Sequence, residues 1–135
     1  VSQAQENHQP SPAGEHRPRV LIVEDNPTVA RPLSKLLQHA GFQPVVFHRG
    51  HPALDYARQC IPDAVLVDVH LPDFNGLLLS RHLRQHLGPD RPIVVLSGDT
   101  SMEVVNSLAA AGATYFFSKP VRGEDLVRQL KALIP

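Results

Sequence analysis

The chain has 135 residues, 42% of them hydrophobic and 19% charged, with 13 basic residues balancing 13 acidic ones. That length suits one domain with a single layered core. Zero formal net charge gives no bulk electrostatic drive toward nucleic acid or a membrane surface. No apolar run approaches the ~20 residues needed to span a bilayer, and the N-terminus does not resemble a signal peptide.

The single cysteine, Cys60, excludes an intrachain disulfide framework and reads as a small, partly buried apolar residue. Residues 1 to 18 (VSQAQENHQPSPAGEHRP) lack apolar periodicity and are rich in Gln, Pro and His. Such a segment buries too little apolar surface to offset its ordering entropy, so it reads as a linker or disordered tail. Together with a first residue that is Val1 rather than Met, it suggests a fragment of a larger protein with a domain upstream. The folded domain is expected over residues 19–135.

From Arg19 onward, short apolar runs alternate with helical segments. RVLIVE (19 to 24) is a β-branched and aliphatic run of the kind that forms a strand buried on both faces. Asn26-Pro27 then supplies a helix cap and a first-turn proline. Val29, Leu33, Leu36, Leu37 and Ala40 recur at helical spacing, and Gly41 ends the segment. Pro32 falls inside this helix, where a kink is expected. PVVFH (44 to 48) is a second strand, and residues 52 to 60 form a helix opening on Pro52. AVLVD (64 to 68) is a third strand, and the helix from Gly76 to Leu87 carries Leu79, Leu83 and Leu87. IVVLS (93 to 97) is a fourth strand, followed by a helix from Met102 to Ala111 that Gly112 stops. TYFFS (114 to 118) and a helix from Gly123 to Ile134 complete the series. Five successive strand–helix units imply an α/β, doubly wound, five-stranded parallel sheet, because parallel strands need right-handed crossovers.

The polar residues fall where strands end. The first strand ends in Glu24-Asp25, the third in Asp68 and the fourth in Ser97, while Lys119 follows the fifth. In an open parallel sheet the carboxyl ends of the strands share one edge, so these residues converge there. Three carboxylates held together repel one another, and they take up protons or bind a cation. An all-oxygen set suits a hard ion such as Mg²⁺, which meets phosphate through retained waters. Lys119 adds a positive point charge and Ser97 a hydroxyl, both suited to phosphoryl oxygens.

In register, these motifs resemble those of the receiver domains of response regulators and hybrid histidine kinases. The likeness rests on Glu24-Asp25, on Asp68 with Leu71-Pro72 and Gly76 after it, on Ser97, and on Lys119-Pro120. Asp25, Asp68, Ser97 and Lys119 are separated in turn by 43, 29 and 22 residues. The resemblance covers Arg19 to Pro135 and implies a flavodoxin-like (βα)5 fold with strand order 2-1-3-4-5. It implies that Asp68 accepts a phosphoryl group from a histidine kinase or histidine phosphotransfer domain. It further implies that Glu24, Asp25, Asp68 and the backbone carbonyl of His70 hold Mg²⁺, and that Lys119 and Ser97 assist. Phe116 occupies the position of the switch aromatic, although it reads equally well as core. The helix-four, strand-five, helix-five face would be the output surface and a candidate dimer contact, and Lys119-Pro120 resembles a cis peptide.

The resemblance also implies that His70 and Asp99 flank the approach to the phosphoryl group, with Gly98 leaving space beside it. A His70–Asp99 pair is expected to tune how long the phosphoryl group is kept. The parent is expected to be a cytoplasmic or membrane-anchored hybrid sensor kinase, with a DNA-binding response regulator as the alternative. Direct contact of this domain with nucleic acid or membrane is not expected. A phosphohydrolase using an aspartyl phosphate is the rival of another class. It lacks its D-x-D motif here, because the third strand reads Asp68-Val69-His70 and the first offers Glu24-Asp25. His82 and His86, four apart on a helix, could begin a zinc site, but without a third ligand they read as a solvated face.

Overall fold

The computed structural model describes residues 16–135, so most of the expected linker lies outside the described residues. Five strands are present: β1 (Arg19–Val23), β2 (Gln43–Phe47), β3 (Ala64–Asp68), β4 (Ile93–Ser97) and β5 (Tyr115–Ser118). They alternate with α1 (Pro27–His39), α2 (Gly50–Gln59), α3 (Gly76–Leu87), α4 (Met102–Ser107) and α5 (Gly123–Leu133). All pairings are parallel and the order is β2-β1-β3-β4-β5. The chain moves outward from β1 to β2, then crosses back to place β3 on the other side of β1. The reversal of direction therefore opens between β1 and β3, beside their carboxyl ends.

The period-2 alternation of strand side chains sorts the core into two layers. Leu21, Val23, Val65, Val67 and Val95 face α2, α3 and α4, packing on Ala53, Leu54, Leu79, Leu83 and Val104. Val20, Ile22, Leu66, Val94 and Leu96 face the other way, onto Leu33 and Leu37 of α1 and Leu126 and Leu130 of α5. The central strands β1, β3 and β4 are apolar on both faces for this reason. Edge strand β5 is half-exposed along its length.

Local chemistry explains most of the boundaries. Asn26 caps α1 by accepting from the Thr28 N–H at 3.0 Å, and Asn75 caps α3 by accepting from Leu77 and Leu78. Gly41 adopts a positive φ of 98° just past the end of α1, and Gly112, with φ 77°, lies in the turns that follow α4. Helix α1 runs unbroken across Pro32. That proline and the residue one turn before it, Thr28, are exposed, so water can take the carbonyl that the missing N–H leaves free.

Other expectations need correction. Helix α2 starts at Gly50 rather than Pro52, because its first N–H groups are capped by a carboxylate from a distant loop, described below. Helix α4 ends at Ser107 rather than Ala111, and the residues after it form turns. Cys60 is exposed, not partly buried. It is the C-terminal cap residue of α2, where the chain has already left the helix face that packs on the sheet.

Candidate functional site

Four of the strand ends on the carboxyl edge, those of β1, β3, β4 and β5, each deliver one part of the site. The end of β1 contributes Glu24, only 1% exposed, and Asp25, which is exposed. The last residue of β3 is Asp68, 6% exposed, and the last of β4 is the fully buried Ser97. Lys119 follows β5, with its N–H donating to the Ser97 carbonyl at 2.9 Å, and the Lys119-Pro120 bond is cis. Residues nearly a hundred positions apart thus meet: Lys119 Nζ donates to Glu24 Oε1 at 2.6 Å and lies 3.3 Å from Asp68 Oδ2.

Electrostatics follow from this packing. Burial pushes the Glu24 carboxyl above its ordinary value, and the Asp68 charge adds to the shift. Hydrogen bonds from Lys119 and the Asn26 N–H work in the opposite direction. For Lys119, burial alone would lower the ammonium, but the Glu24 bond and the charges of Asp68 and Glu24 outweigh it and hold it raised.

Ligand oxygens of Glu24, Asp25 and Asp68 lie within 4.8 Å of one another. Among the described residues they form the one group of three or more His, Cys, Asp or Glu side chains within such reach. Three carboxylates with no nitrogen or sulfur donor fit a hard divalent cation such as Mg²⁺ rather than zinc. His82 and His86 gather no third ligand among the described residues: His82 packs edge-on to Phe74, and His86 meets Arg58.

The flanking residues are also in place. His70 Nε2 and Asp99 Oδ2 are 3.3 Å apart, both solvent-accessible, and hydrogen bonds from Ser101 hold the Asp99 carboxyl below its ordinary value. Ser97 Oγ accepts from the Asp99 N–H at 2.9 Å. Gly98 has open space where a side chain would stand. Phe116 is half-buried against the layer that contains Val95 and Val104. Helix α3 approaches β3 so closely that a Cβ on Gly76 would lie 2.0 Å from the Asp68 carbonyl oxygen. Sequence patterns missed two residues that organise this edge. His48 Nδ1 meets the Glu24 carbonyl at 2.9 Å, and Asp73 binds the N-terminus of α2. Neither leaves a local signature, because its partner lies more than 20 residues away.

A model of the response regulator receiver domain matches residues 20–131. The chain belongs to that family. Among curated relatives, this receiver domain is 34% identical over 125 residues to the transcriptional regulatory protein BaeR of Escherichia coli, covering 91% of the chain and 50% of BaeR. It is 38% identical over 117 residues to the DNA-binding response regulator MtrA of Mycolicibacterium smegmatis, covering 86% and 50%. The chain therefore spans about half the length of these curated relatives. Among solved structures, a response regulator from Chloroflexus aurantiacus superposes with a TM-score of 0.81 at 32% identity, covering 88% of this chain and 98% of that one. The receiver domain of a sensor histidine kinase from Pseudomonas aeruginosa, with magnesium coordinated in its active-site cleft, gives 0.80 at 27% identity, with the same coverage.

Proposed function

We propose that Asp68 of this receiver domain accepts a phosphoryl group from a phosphohistidine on a histidine kinase or phosphotransfer domain. The observation that carries this reading is Lys119 Nζ 3.3 Å from Asp68, beside three clustered carboxylates at the carboxyl edge of the sheet. An Asp68 carboxylate oxygen attacks phosphorus, the phosphorus–nitrogen bond breaks, and the imidazole departs with the electron pair. The product is an aspartyl phosphate. Buried Glu24 holds Lys119 beside the acceptor, so the ammonium faces the oxygens on which charge develops and needs little reorganisation to act. Magnesium, held by Glu24, Asp25, Asp68 and the His70 carbonyl, would supply further positive charge to those oxygens.

The phosphoryl group then offers a new acceptor to the Ser97 hydroxyl. Ser97 turning toward it would release the Asp99 N–H and leave room into which half-buried Phe116 can move. That change would be read on the face of α4, β5 and α5, where Met102, Val105 and Tyr115 are exposed. The response is a shift of populations, limited by how differently the phosphoryl group stabilises the two states. The His70–Asp99 pair across the mouth would slow the approach of water to the aspartyl phosphate.

Two kinds of parent use such a domain. The hybrid sensor kinase expected from the sequence is supported by the likeness to the Pseudomonas aeruginosa kinase receiver. A transcription-regulating parent is favoured by the 34% and 38% identity to BaeR and MtrA. In either case a place on the cytoplasmic side fits the donor chemistry. Among the described residues, no helix is long and apolar enough to cross a membrane.

The test is incubation of the chain with Mg²⁺ and phosphoramidate, followed by intact mass. One phosphoryl group per chain is expected, labile to hydroxylamine and lost in Asp68→Asn or with chelator. Uptake that persists in Asp68→Asn rejects the assignment. Multiple turnover of phosphate esters would instead favour the phosphohydrolase.

A further inference from the structure

The loop between β3 and α3 carries the His70 carbonyl and is closed at its base. The Gly76 N–H donates to the Val69 carbonyl at 2.6 Å, and His70 and Asn75 form an isolated antiparallel bridge. Its tip is held from outside. Asp73 Oδ1 accepts from the Gly50 N–H at 2.7 Å and Oδ2 from the His51 N–H at 2.9 Å. These are the first two N–H groups of α2, whose own cap residue, Arg49, makes no side-chain cap bond. The cap therefore comes from a residue more than 20 positions away.

The contact is tight. Phe74, next to Asp73, lies where a Cβ on Gly50 would be only 2.6 Å from its own Cβ, and its ring packs tilted by 46° against His51 with centroids 4.7 Å apart. Burial would raise the Asp73 carboxyl, but the His51 and Gly50 N–H groups outweigh it and hold it lowered. A charged carboxylate at a helix N-terminus is also favoured by the helix dipole.

We infer that Asp73 is a positioning residue for the cation site: by clamping the loop tip to α2, it fixes the backbone carbonyl of His70. The inference rests on the reading of Glu24, Asp25, Asp68 and the His70 carbonyl as that site. Nothing between His70 and Asp73 packs deeply, since His70 and Pro72 are exposed and Leu71 is half-buried. Leu71 packs on a core layer and His70 meets Asp68 and Asp99, whereas the two Asp73 bonds and the Phe74 contact are what tie the loop tip to α2. Groups that orient a metal ligand without touching the metal commonly contribute about 10-fold or more in metal affinity.

The test is Mg²⁺ titration of the whole chain by calorimetry, alongside amide spectra of Gly50 and His51. In Asp73→Ala the dissociation constant should rise about 10-fold. Both amide protons should move upfield as they lose a carboxylate partner. The phosphoramidate rate should recover when Mg²⁺ is raised in proportion, so that half-saturation moves and the maximal rate does not. Asp73→Asn keeps one acceptor oxygen and should fall between, which also covers the case in which Asp73→Ala does not fold. Leu130→Ala, in the opposite core layer, should lose stability and keep wild-type Mg²⁺ affinity. Unchanged affinity in both Asp73 variants, or an equal loss in Leu130→Ala, would reduce Asp73 to a cap of α2. If the wild-type chain binds no Mg²⁺ and takes no phosphoryl group, the reading of the site itself fails, and this inference with it.

Discussion

Placing one methyl group at Gly76 tests how closely Asp68 is built into the packing. A Cβ there would lie 2.0 Å from the Asp68 carbonyl oxygen, 2.7 Å from Val69 Cα and 2.8 Å from the Asp68 carbonyl carbon. All three are backbone atoms in a buried strand end, so no side chain can swing aside. Reaching ordinary contact requires the start of α3 and the end of β3 to separate by about 1.4 Å, an overpacking strain of roughly 1–3 kcal/mol. The same movement weakens the bond from the Gly76 N–H to the Val69 carbonyl, adding about 1 kcal/mol. Gly76→Ala should therefore lose about 2–4 kcal/mol, a fall in Tm of roughly 10 °C for a domain of this size. Because the displaced backbone belongs to Asp68, phosphoryl uptake per folded molecule should fall as well. Gly98→Ala is the matched control, since a Cβ at Gly98 meets nothing within 4 Å, and it should stay within about 0.5 kcal/mol of wild type. Urea denaturation and a phosphoramidate time course measure both quantities. A Gly76→Ala chain as stable as Gly98→Ala would refute the argument.

Lys119→Met strips the partner from a carboxyl that is 1% exposed, and should cost about 3 kcal/mol near neutral pH. Without Lys119, the Glu24 carboxyl rises further above 4.5. A carboxyl raised in the folded state binds protons more tightly there, so the urea midpoint of the variant should fall relative to wild type as pH climbs from 4.5 through the raised value; a pH-independent gap contradicts this. In wild type, the raised Lys119 ammonium contributes stability that is present below 10.5 and lost as pH rises through its folded value. His70→Ala opens the mouth of the site and should shorten the aspartyl-phosphate half-life by up to about five-fold, as much as an exposed pair can contribute. An unchanged half-life in a decay assay sinks the proposed role of the His70–Asp99 pair.

Much of this protein was legible in its sequence because the relevant forces act along the chain. Apolar runs that end in a polar residue mark strands and their carboxyl ends, and a parallel sheet brings those ends to one edge whatever the loops do. Glu24, Asp25, Asp68, Ser97 and Lys119 were readable for that reason, and so were the Asn26 cap and the stop at Gly41. Strand order came from family resemblance, since five similar apolar runs carry no ranking of neighbours.

The tertiary structure decided what depends on distant partners. Helix α2 begins at Gly50 because Asp73 caps it from another loop. Lys119 divides itself between Glu24 and Asp68, and Gly76 must be glycine because the Asp68 backbone passes beside it. Pairings across 20 to 95 positions are set by how helices pack on the twisted sheet. No local pattern encodes them, so the chain's periodicity determined which groups reach the edge, and packing determined which of them touch.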